Sequence, residues 1–334
     1  MFNRIRSIRH PEGCHGRSQA APFFEGWYYK LVDATGRHRL ALIPGISLSA
    51  DPQESHAFIQ ILDGGSGHSG YHRFALDQFS AEEMALAQRI GPNSFSSRGI
   101  DLDLDAQDWT MKGSLRFGPL TPWPVSWRAP GIMGWYAWMP FMQCYHGVVS
   151  LDHALQGEMA INGKRIDFSG GRGYIEKDWG RSFPHAYIWL QSNHFTAPGT
   201  SLMASVAVIP WLRGAFPGFI IGLYHDGTLY RFATYTGARL DELEIGDQEI
   251  VLQVHDRSHR LSLRALRAQG GLLQAPTSEG MTSKIGETLD GSITVRLDSI
   301  MEKRTKVLQS GQHAGIDAAG DLDKLRQLYR QVAG

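Results

Sequence analysis

Short stretches of alternating apolar and polar residues run through most of the chain, and glycine punctuates them. Ile100, Leu102 and Leu104 alternate with Asp101, Asp103 and Asp105, the period-two signature of a strand with one buried face. Further strands are expected at Leu40–Ser47, His56–Leu62, Tyr187–Gln191, Ser201–Ile209, Glu249–His255, Arg260–Leu266 and Ser292–Leu297. Asn162-Gly163 and Asp226-Gly227 each separate two such stretches and favour type I′ hairpin turns, which need two residues with positive φ. Helical periodicity is rare. Ser80-Ala81-Glu82-Glu83 reads as a capping box and predicts a short helix to about Arg89. Leu322, Leu325, Leu328, Tyr329 and Val332 share one helical face after Asp321 and predict a C-terminal helix that docks on a barrel or on a partner chain.

Many short strands with glycine-rich turns define a mostly β protein built of antiparallel barrels or sandwiches. The absence of a recurring period disfavours a propeller or solenoid. A length of 334 residues points to two domains. The boundary is expected where the glycine-rich approach to Gly180 ends at Pro184, giving an N-terminal β-domain over 1–182 and a C-terminal β-barrel domain with the terminal helix over 183–334.

Charge narrows the range of partners. The chain has 33 Lys and Arg against 33 Asp and Glu, with no basic run, so neither nucleic acid nor electrostatic capture by an anionic membrane is indicated. Arg4, Arg6 and Arg9 are not followed by an apolar signal region, and Ser201–Tyr224 is interrupted by Pro210, Arg213 and Pro217 before it could span a bilayer. Only Cys14 and Cys144 are present, which fits isolated thiols in a reducing compartment. A cytoplasmic protein without a transmembrane segment is expected, in which transient membrane contact would serve only to load a ligand.

Three segments concentrate chemistry. Gly173-Tyr174-Ile175-Glu176-Lys177-Asp178-Trp179-Gly180 places Tyr174, Glu176 and Asp178 on one side of a strand and Ile175, Lys177 and Trp179 on the other. Two carboxyl groups on one face repel, so one of them is expected to keep its proton near neutrality, the form that alkene protonation needs. The competing reading is a structural salt-bridge cluster, with Arg172, Lys177 and Arg181 neutralising both acids. Phe23-Phe24-Glu25-Gly26-Trp27-Tyr28-Tyr29 packs five aromatic rings into seven positions, with Glu25 either a turn residue or a second pocket carboxyl. Gly134–Gly147 carries Trp135, Trp138, Tyr145 and His146. Its rings suit a long apolar ligand and can shield a carbocation. His146 is either a base for a phenol proton or a satisfied core histidine. The pairs His68/His72 and His255/His259 lack a third ligand at metal spacing, so no metal is expected. No phosphate loop and no Gly-x-Ser-x-Gly elbow occurs.

At these motifs the chain resembles the tocopherol cyclase family. The resemblance rests on Phe23–Lys30, Tyr145–His153, Gly173–Gly180 followed by Phe183-Pro184, Trp189-x-Gln191-x-Asn193-x-Phe195, Ala275-Pro276-Thr277 and Glu287–Gly291. It implies two lipocalin-like β-domains related to AttH and hydroxyneurosporene synthase, with a pocket between them. It also implies a cofactor-free reaction. An acid protonates the alkene of a prenylated hydroquinone, the neighbouring phenol oxygen captures the tertiary cation, and a base takes the phenol proton. On this chain the catalytic candidates are Glu176, Asp178, His146 and Glu25. The substrate walls fall to Trp27, Tyr29, Trp135, Trp138, Tyr145, Tyr174, Trp179, Trp189, Gln191 and Asn193. The plant members carry Asn where this chain has Asp178, which favours Glu176 as the essential acid and Asp178 as its partner. The lack of a plastid transit region and the shorter chain imply a bacterial member, and the aspartate leaves open which prenylated, polyene or other isoprenoid substrate it takes. Hydration of an isoprenoid alkene and non-catalytic carriage of an apolar ligand are the alternatives.

Overall fold

The computed structural model describes residues 10–16, 19–126, 129–139, 142–211 and 214–333. Arg4, Arg6, Arg9, Arg213, Trp127, Pro140 and Phe141 fall outside them. The chain forms two compact units. The first comprises Met1–Phe183 together with Gly271–Lys284, and the second Pro184–Gly270 together with Ile285–Gly334.

The strands of the first sheet are β1 (Phe23–Val32), β2 (Arg39–Leu48), β3 (His56–Asp63), β4 (Ser69–Phe74), β5 (Phe79–Ala81), β6 (Ala87–Ile90), β7 (Asn93–Ser96), β8 (Gly99–Asp105), β9 (Thr110–Phe117), β10 (Cys144–Ile161), β11 (Lys164–Asp167) and β12 (Arg172–Gly180). Their order is β4-β3-β2-β1-β12-β10-β9-β8-β7-β6-β5, with β11 added to β10. The second sheet follows with β13 (Ala186–Ser192), β14 (His194–Phe195), β15 (Ser201–Trp211), β16 (Gly214–His225), β17 (Thr228–Ala233), β18 (Arg239–Ile245), β19 (Glu249–His255), β20 (His259–Leu266), β21 (Gly271–Thr277), β22 (Gly280–Ser299) and β23 (Arg304–Gly320). Its order is β17-β16-β15-β13-β23-β22-β20-β19-β18; β14 pairs with β23, and β21 with β22. The mostly β, antiparallel class is the one the alternating pattern predicts. Among the described residues no helix is long and apolar enough to cross a membrane.

Both expected hairpin turns form. Asn162 and Gly163 have φ of 48° and 78°, and Asp226 and Gly227 have 46° and 75°. The expected helix over Ser80–Arg89 does not form. Phe79 pairs with Ile90, Ser80 with Arg89 and Ala81 with Gln88 in an antiparallel β5–β6 ladder. Leu86, Gln88 and Ile90 are buried while Arg89 is exposed, a period of two that a helix cannot satisfy. A four-residue cap signal is outweighed by pairing and burial, because a short helix must first meet its nucleation cost.

The C-terminal helix α1 (Leu322–Ala333) does form, and Lys324 N–H donates to Asp321 Oδ1 at 2.9 Å to cap it. Leu325 and Leu328 join the core of the second unit, with Leu322 and Tyr329 packed at its edge. Val332 departs from the expected face and is 72% exposed. The helix thus docks on the second sheet, where Arg326 donates to Ile245 O at 2.5 Å.

β12 lies centrally in the first sheet, paired with β1 on one side and β10 on the other. Its two faces differ. Ile175, Trp27 and Tyr29 face the apolar core that also holds Leu42, Ile59, Phe95, Met111 and Phe168. The other face carries the acids.

Candidate active site

Cross-strand register fixes what stands beside each acid. Asp178 is opposite Gly26 on β1 and His146 on β10, and Gly26 is opposite Gly45 on β2, itself opposite Phe58 on β3. One row across five strands therefore reads Phe58, Gly45, Gly26, Asp178, His146. The two glycines leave a flat floor over which Phe58 leans: a β-carbon on Gly45 would come within 2.6 Å of the Phe58 ring. Phe58 in turn stacks on Tyr71 with ring centroids 5.1 Å apart. In the neighbouring row Glu176 lies between Tyr28 and Val148, and Lys30 lies opposite Tyr174.

Glu176 is buried, at 4% exposure, and Tyr174 donates its hydroxyl to Glu176 Oε2 at 2.6 Å. His146 bridges the two acids. Its Nδ1 lies 2.6 Å from Asp178 Oδ1, and its Nε2 lies 3.3 Å from Glu176 Oε2. The Nε2 atom is buried and has no aligned hydrogen bond. Burial works against a charge on this imidazole, but Asp178 and then Glu176 outweigh it, so His146 keeps its proton well above the ordinary histidine range. Burial, and then the neighbouring Glu176, push the Tyr174 hydroxyl well above its usual value. Cys144 stands in the same column, with Sγ 3.7 Å from Asp178 Oδ1, and burial followed by Asp178 keeps it a thiol.

The salt-bridge alternative drawn from Arg172, Lys177 and Arg181 does not describe this face. Arg172 Nε donates to Asp152 at 2.8 Å, Lys177 points to the opposite face, and Arg181 is exposed. His146 supplies a countercharge to both acids.

Of the other sequence candidates, Glu25, Trp27, Tyr29, Tyr145 and Trp179 lie on the opposite face of the same strands. Glu25 is fully buried there, 2.5 Å from Lys177 Nζ, and accepts from the backbone N–H of His15 at 2.7 Å and of Gly16 at 3.0 Å. Burial would raise the Glu25 carboxyl, but Lys177 and then His15 hold it below the usual range. Lys177 also sits 4.7 Å from the ring centroids of Trp27 and Trp179 and donates to Gly13 O. Trp27 donates to Glu12 O at 2.8 Å, and Trp179 is flanked by His15 and Tyr145, so this cluster pins residues 10–16 to the sheet. Tyr29 donates no route to the acids: it is a core residue whose hydroxyl accepts from Gln88 at 3.2 Å.

Trp135 and Trp138 lie on a short 3₁₀ turn, Gly134–Trp138, and Trp135 is 41% exposed and stacked on Tyr136. This turn touches the site through Met133, whose sulfur accepts from His146 N–H at 3.2 Å. Trp189 and Gln191 are buried on β13 of the second unit, and Asn193 follows that strand, bonded to His194 at 2.9 Å. Sequence reasoning did not place Cys144, Tyr28 or Lys30 on the face of the acids, and did not mark Gln60. Only Gln60 and Lys30 left a signal, as polar residues inside otherwise apolar strands. Gln60 binds the strap β21, donating to Gln274 O at 3.2 Å and accepting from Gln274 N–H at 2.6 Å.

Ligand atoms of His146, Glu176 and Asp178 lie within 4.8 Å of one another, so these three residues could also share a metal ion. Sequence spacing does not reveal this grouping, because the histidine comes from a different strand.

These features define an antiparallel two-sheet protein with a buried acid–base centre of one imidazole between two carboxyl groups. The chain belongs to the tocopherol cyclase-like family, whose model matches residues 94–320. Chloroplastic tocopherol cyclase of Zea mays is 24% identical, covering 87% of this chain and 73% of that protein. Among solved structures, CghA with Sch210972 superposes with a TM-score of 0.54 at 13% identity, covering 90% of this chain and 89% of the other. An AttH protein from Nitrosomonas europaea gives a TM-score of 0.54 at 13% identity, covering 92% and 98%. Both likenesses concern the fold, and they agree with the lipocalin-like architecture implied by the motifs.

Proposed function

We propose that this chain cyclises a prenylated hydroquinone or a related isoprenoid lipid by acid catalysis, without a redox cofactor. One observation carries the reading: the His146 imidazole lies between two carboxyl groups, and its Nε2 is buried without an aligned hydrogen-bond partner. Asp178 and His146 form the proton store, and Glu176 delivers. The proton passes from His146 Nε2 to Glu176 and then to the less substituted alkene carbon. The phenol oxygen attacks the tertiary cation, forming the C–O bond of a chromanol. The released phenol proton returns to the imidazole, so the product is an isomer of the substrate and the centre is restored. Phe58, seated over the two glycines, and Tyr71 stacked on it are proposed as an aromatic wall beside the acid row. Trp189, Gln191 and Asn193 are proposed as substrate contacts of the second unit.

The test is incubation with geranylgeranyl hydroquinone in D₂O. The reading expects a chromanol that gains one carbon-bound deuterium. A product heavier by one water would assign hydration instead. Activity that disappears with a chelator and returns with a divalent ion would replace the relay by a metal centre on the same three residues.

A further inference from the structure

Three side chains from two strands meet at one point. Ligand atoms of His146 on β10 and of Glu176 and Asp178 on β12 lie within 4.8 Å of one another, and among the described residues no other His, Cys, Asp or Glu side chains gather so closely in threes. Nε2 of His146 and Oε2 of Glu176 are 3.3 Å apart. Metal bonds of about 2.0–2.1 Å, opened at a tetrahedral angle, separate two neighbouring ligand atoms by about 3.3 Å. The pair is therefore spaced as two ligands of one ion. Nε2 has no aligned hydrogen-bond partner, so its approach to Glu176 is not explained by a bond between them.

The other ring nitrogen is held as a metal-binding histidine requires. Nδ1 lies 2.6 Å from Asp178 Oδ1. A carboxylate that accepts from this nitrogen fixes the tautomer and leaves the Nε2 lone pair for an ion. The Tyr174 hydroxyl donates to Glu176 Oε2 at 2.6 Å, and a carboxylate oxygen keeps a second lone pair for the ion. The group opens to water at its Asp178 end, where the side chains of His146 and Asp178 are 16% and 23% exposed. An imidazole beside carboxyl groups suits a zinc-type dication, whereas magnesium and calcium prefer oxygen ligands throughout.

We propose that this centre is also an inhibitory site for a zinc-type dication, which bridges His146 Nε2 and Glu176 while Asp178 holds the ring from behind. The ion occupies the lone pair to which the relay returns its proton, and it ties up the carboxyl group that delivers. Metal binding and cyclisation therefore exclude one another. The binding half of this inference stands on geometry alone, and the inhibition half rests on the proposed cyclase reaction.

Isothermal titration of the full chain with zinc chloride, after chelator treatment and dialysis, measures binding without turnover. Wild type is expected to show one site that His146→Gln and Glu176→Gln each abolish. Asp178→Asn should weaken it about 10–100-fold, the usual effect of removing an outer carboxylate. Thermal unfolding identifies the folded variants, and each tests the site by itself. Unchanged zinc affinity in His146→Gln or in Glu176→Gln overturns the site. Unchanged affinity in Asp178→Asn overturns the role given to that carboxyl group, and displacement of zinc by an equal concentration of magnesium overturns the choice of ion. Chromanol formation from geranylgeranyl hydroquinone is then followed with zinc and with chelator. The rate is expected to fall in step with occupancy of the titrated site and to return when the chelator is added. Full turnover by the zinc-saturated protein overturns the inhibition and leaves the cyclase reading intact. Chelator-treated wild type that binds zinc but makes no chromanol overturns the cyclase reading, and the inhibition with it, and leaves the metal site standing.

Discussion

His146 Nδ1 lies 2.6 Å from Asp178 Oδ1 on the neighbouring strand, and this one bond sets the state of the imidazole. With Nδ1–H committed to Asp178, the second proton of the charged ring must sit on Nε2, the atom that faces Glu176. In the proposed reaction Asp178 is therefore a positioning residue that acts through His146, and Glu176 is the acid nearer the chemistry. The arrangement puts a single proton store between two carboxyl groups, a division of roles that neither acid could hold alone.

Stability should report the charge on His146. Its folded value is raised above the ordinary 6.5, so its contribution is fully present below that value and is lost as pH rises through the folded value. Urea unfolding of wild type should thus show stability falling from about neutrality into the alkaline range. Asp178→Asn removes the first of the two charges that hold the proton and should flatten the slope. Parallel curves for the two proteins would show that Asp178 does not set the charge. Asp317, buried on β23, acts in a separate window. Its raised carboxyl favours the folded state below 3.8, and that advantage is lost as pH rises to about 7.

Turnover should divide the three residues. Glu176→Gln removes the delivered proton and is expected to lower kcat by about 10²–10⁴ while the ligand still binds. His146→Gln should lose a similar factor, because the proton store is gone. Asp178→Asn should retain part of the rate and shift the alkaline limb of the pH–rate profile downward. An unshifted profile with a reduced rate would show that Asp178 serves structure only.

The fold was legible because period-two alternation and Asn-Gly or Asp-Gly turns are local signals, and nearly every strand carries one. The side of β12 that each residue occupies was legible for the same reason, so Tyr174, Glu176 and Asp178 were correctly grouped. The countercharge was not. His146 lies 30 residues upstream of Glu176, and only strand pairing brings it between the acids. Glu25 misleads in the opposite way. It sits among aromatic rings in the sequence, but β1 turns it to the face away from Glu176. The helix expected at Ser80 failed because a cap signal says nothing of the β6 partner that claims Ala81. The return of residues 271–284 to the first unit carries no local mark, since it is an interaction between segments about 200 residues apart.

The Glu25–Lys177 pair should matter to stability and not to the chemical step. Both side chains are fully buried, and removing one partner leaves the other charge uncompensated, which typically costs about 3–5 kcal/mol. Glu25→Gln and Lys177→Met are each expected to lower the urea midpoint strongly. Glu25→Leu/Lys177→Met should recover much of the loss. Because Glu25 also binds the backbone of His15 and Gly16, proteolysis near residues 10–16 should accelerate in the single variants. If Glu25→Gln kept full stability and lost all turnover, Glu25 would have to be placed back among the catalytic groups.

Gln60 should decide how firmly the strap β21 is held. Its amide makes two bonds to the backbone of Gln274, one in each direction, as a neighbouring strand would. Gln60→Leu has a similar size but leaves the Gln274 N–H and C=O without these partners, at a cost of about 1–3 kcal/mol. Gln60→Glu is the sharper variant. Above the carboxyl pKa it keeps the acceptor for Gln274 N–H but turns a second oxygen toward Gln274 O, where the native amide donates. Below that pKa the protonated oxygen can donate again. Hydrogen exchange of residues 272–276 should therefore be fast in Gln60→Leu at every pH. In Gln60→Glu it should be fast at neutral pH and close to wild type in acid, once intrinsic exchange rates are corrected. Equal protection in all three proteins would mean that the strap is held without Gln60, by its pairing with β22 and by the bonds from Ser69 Oγ to Leu272 O at 2.7 Å and from Phe183 N–H to Pro276 O at 3.2 Å.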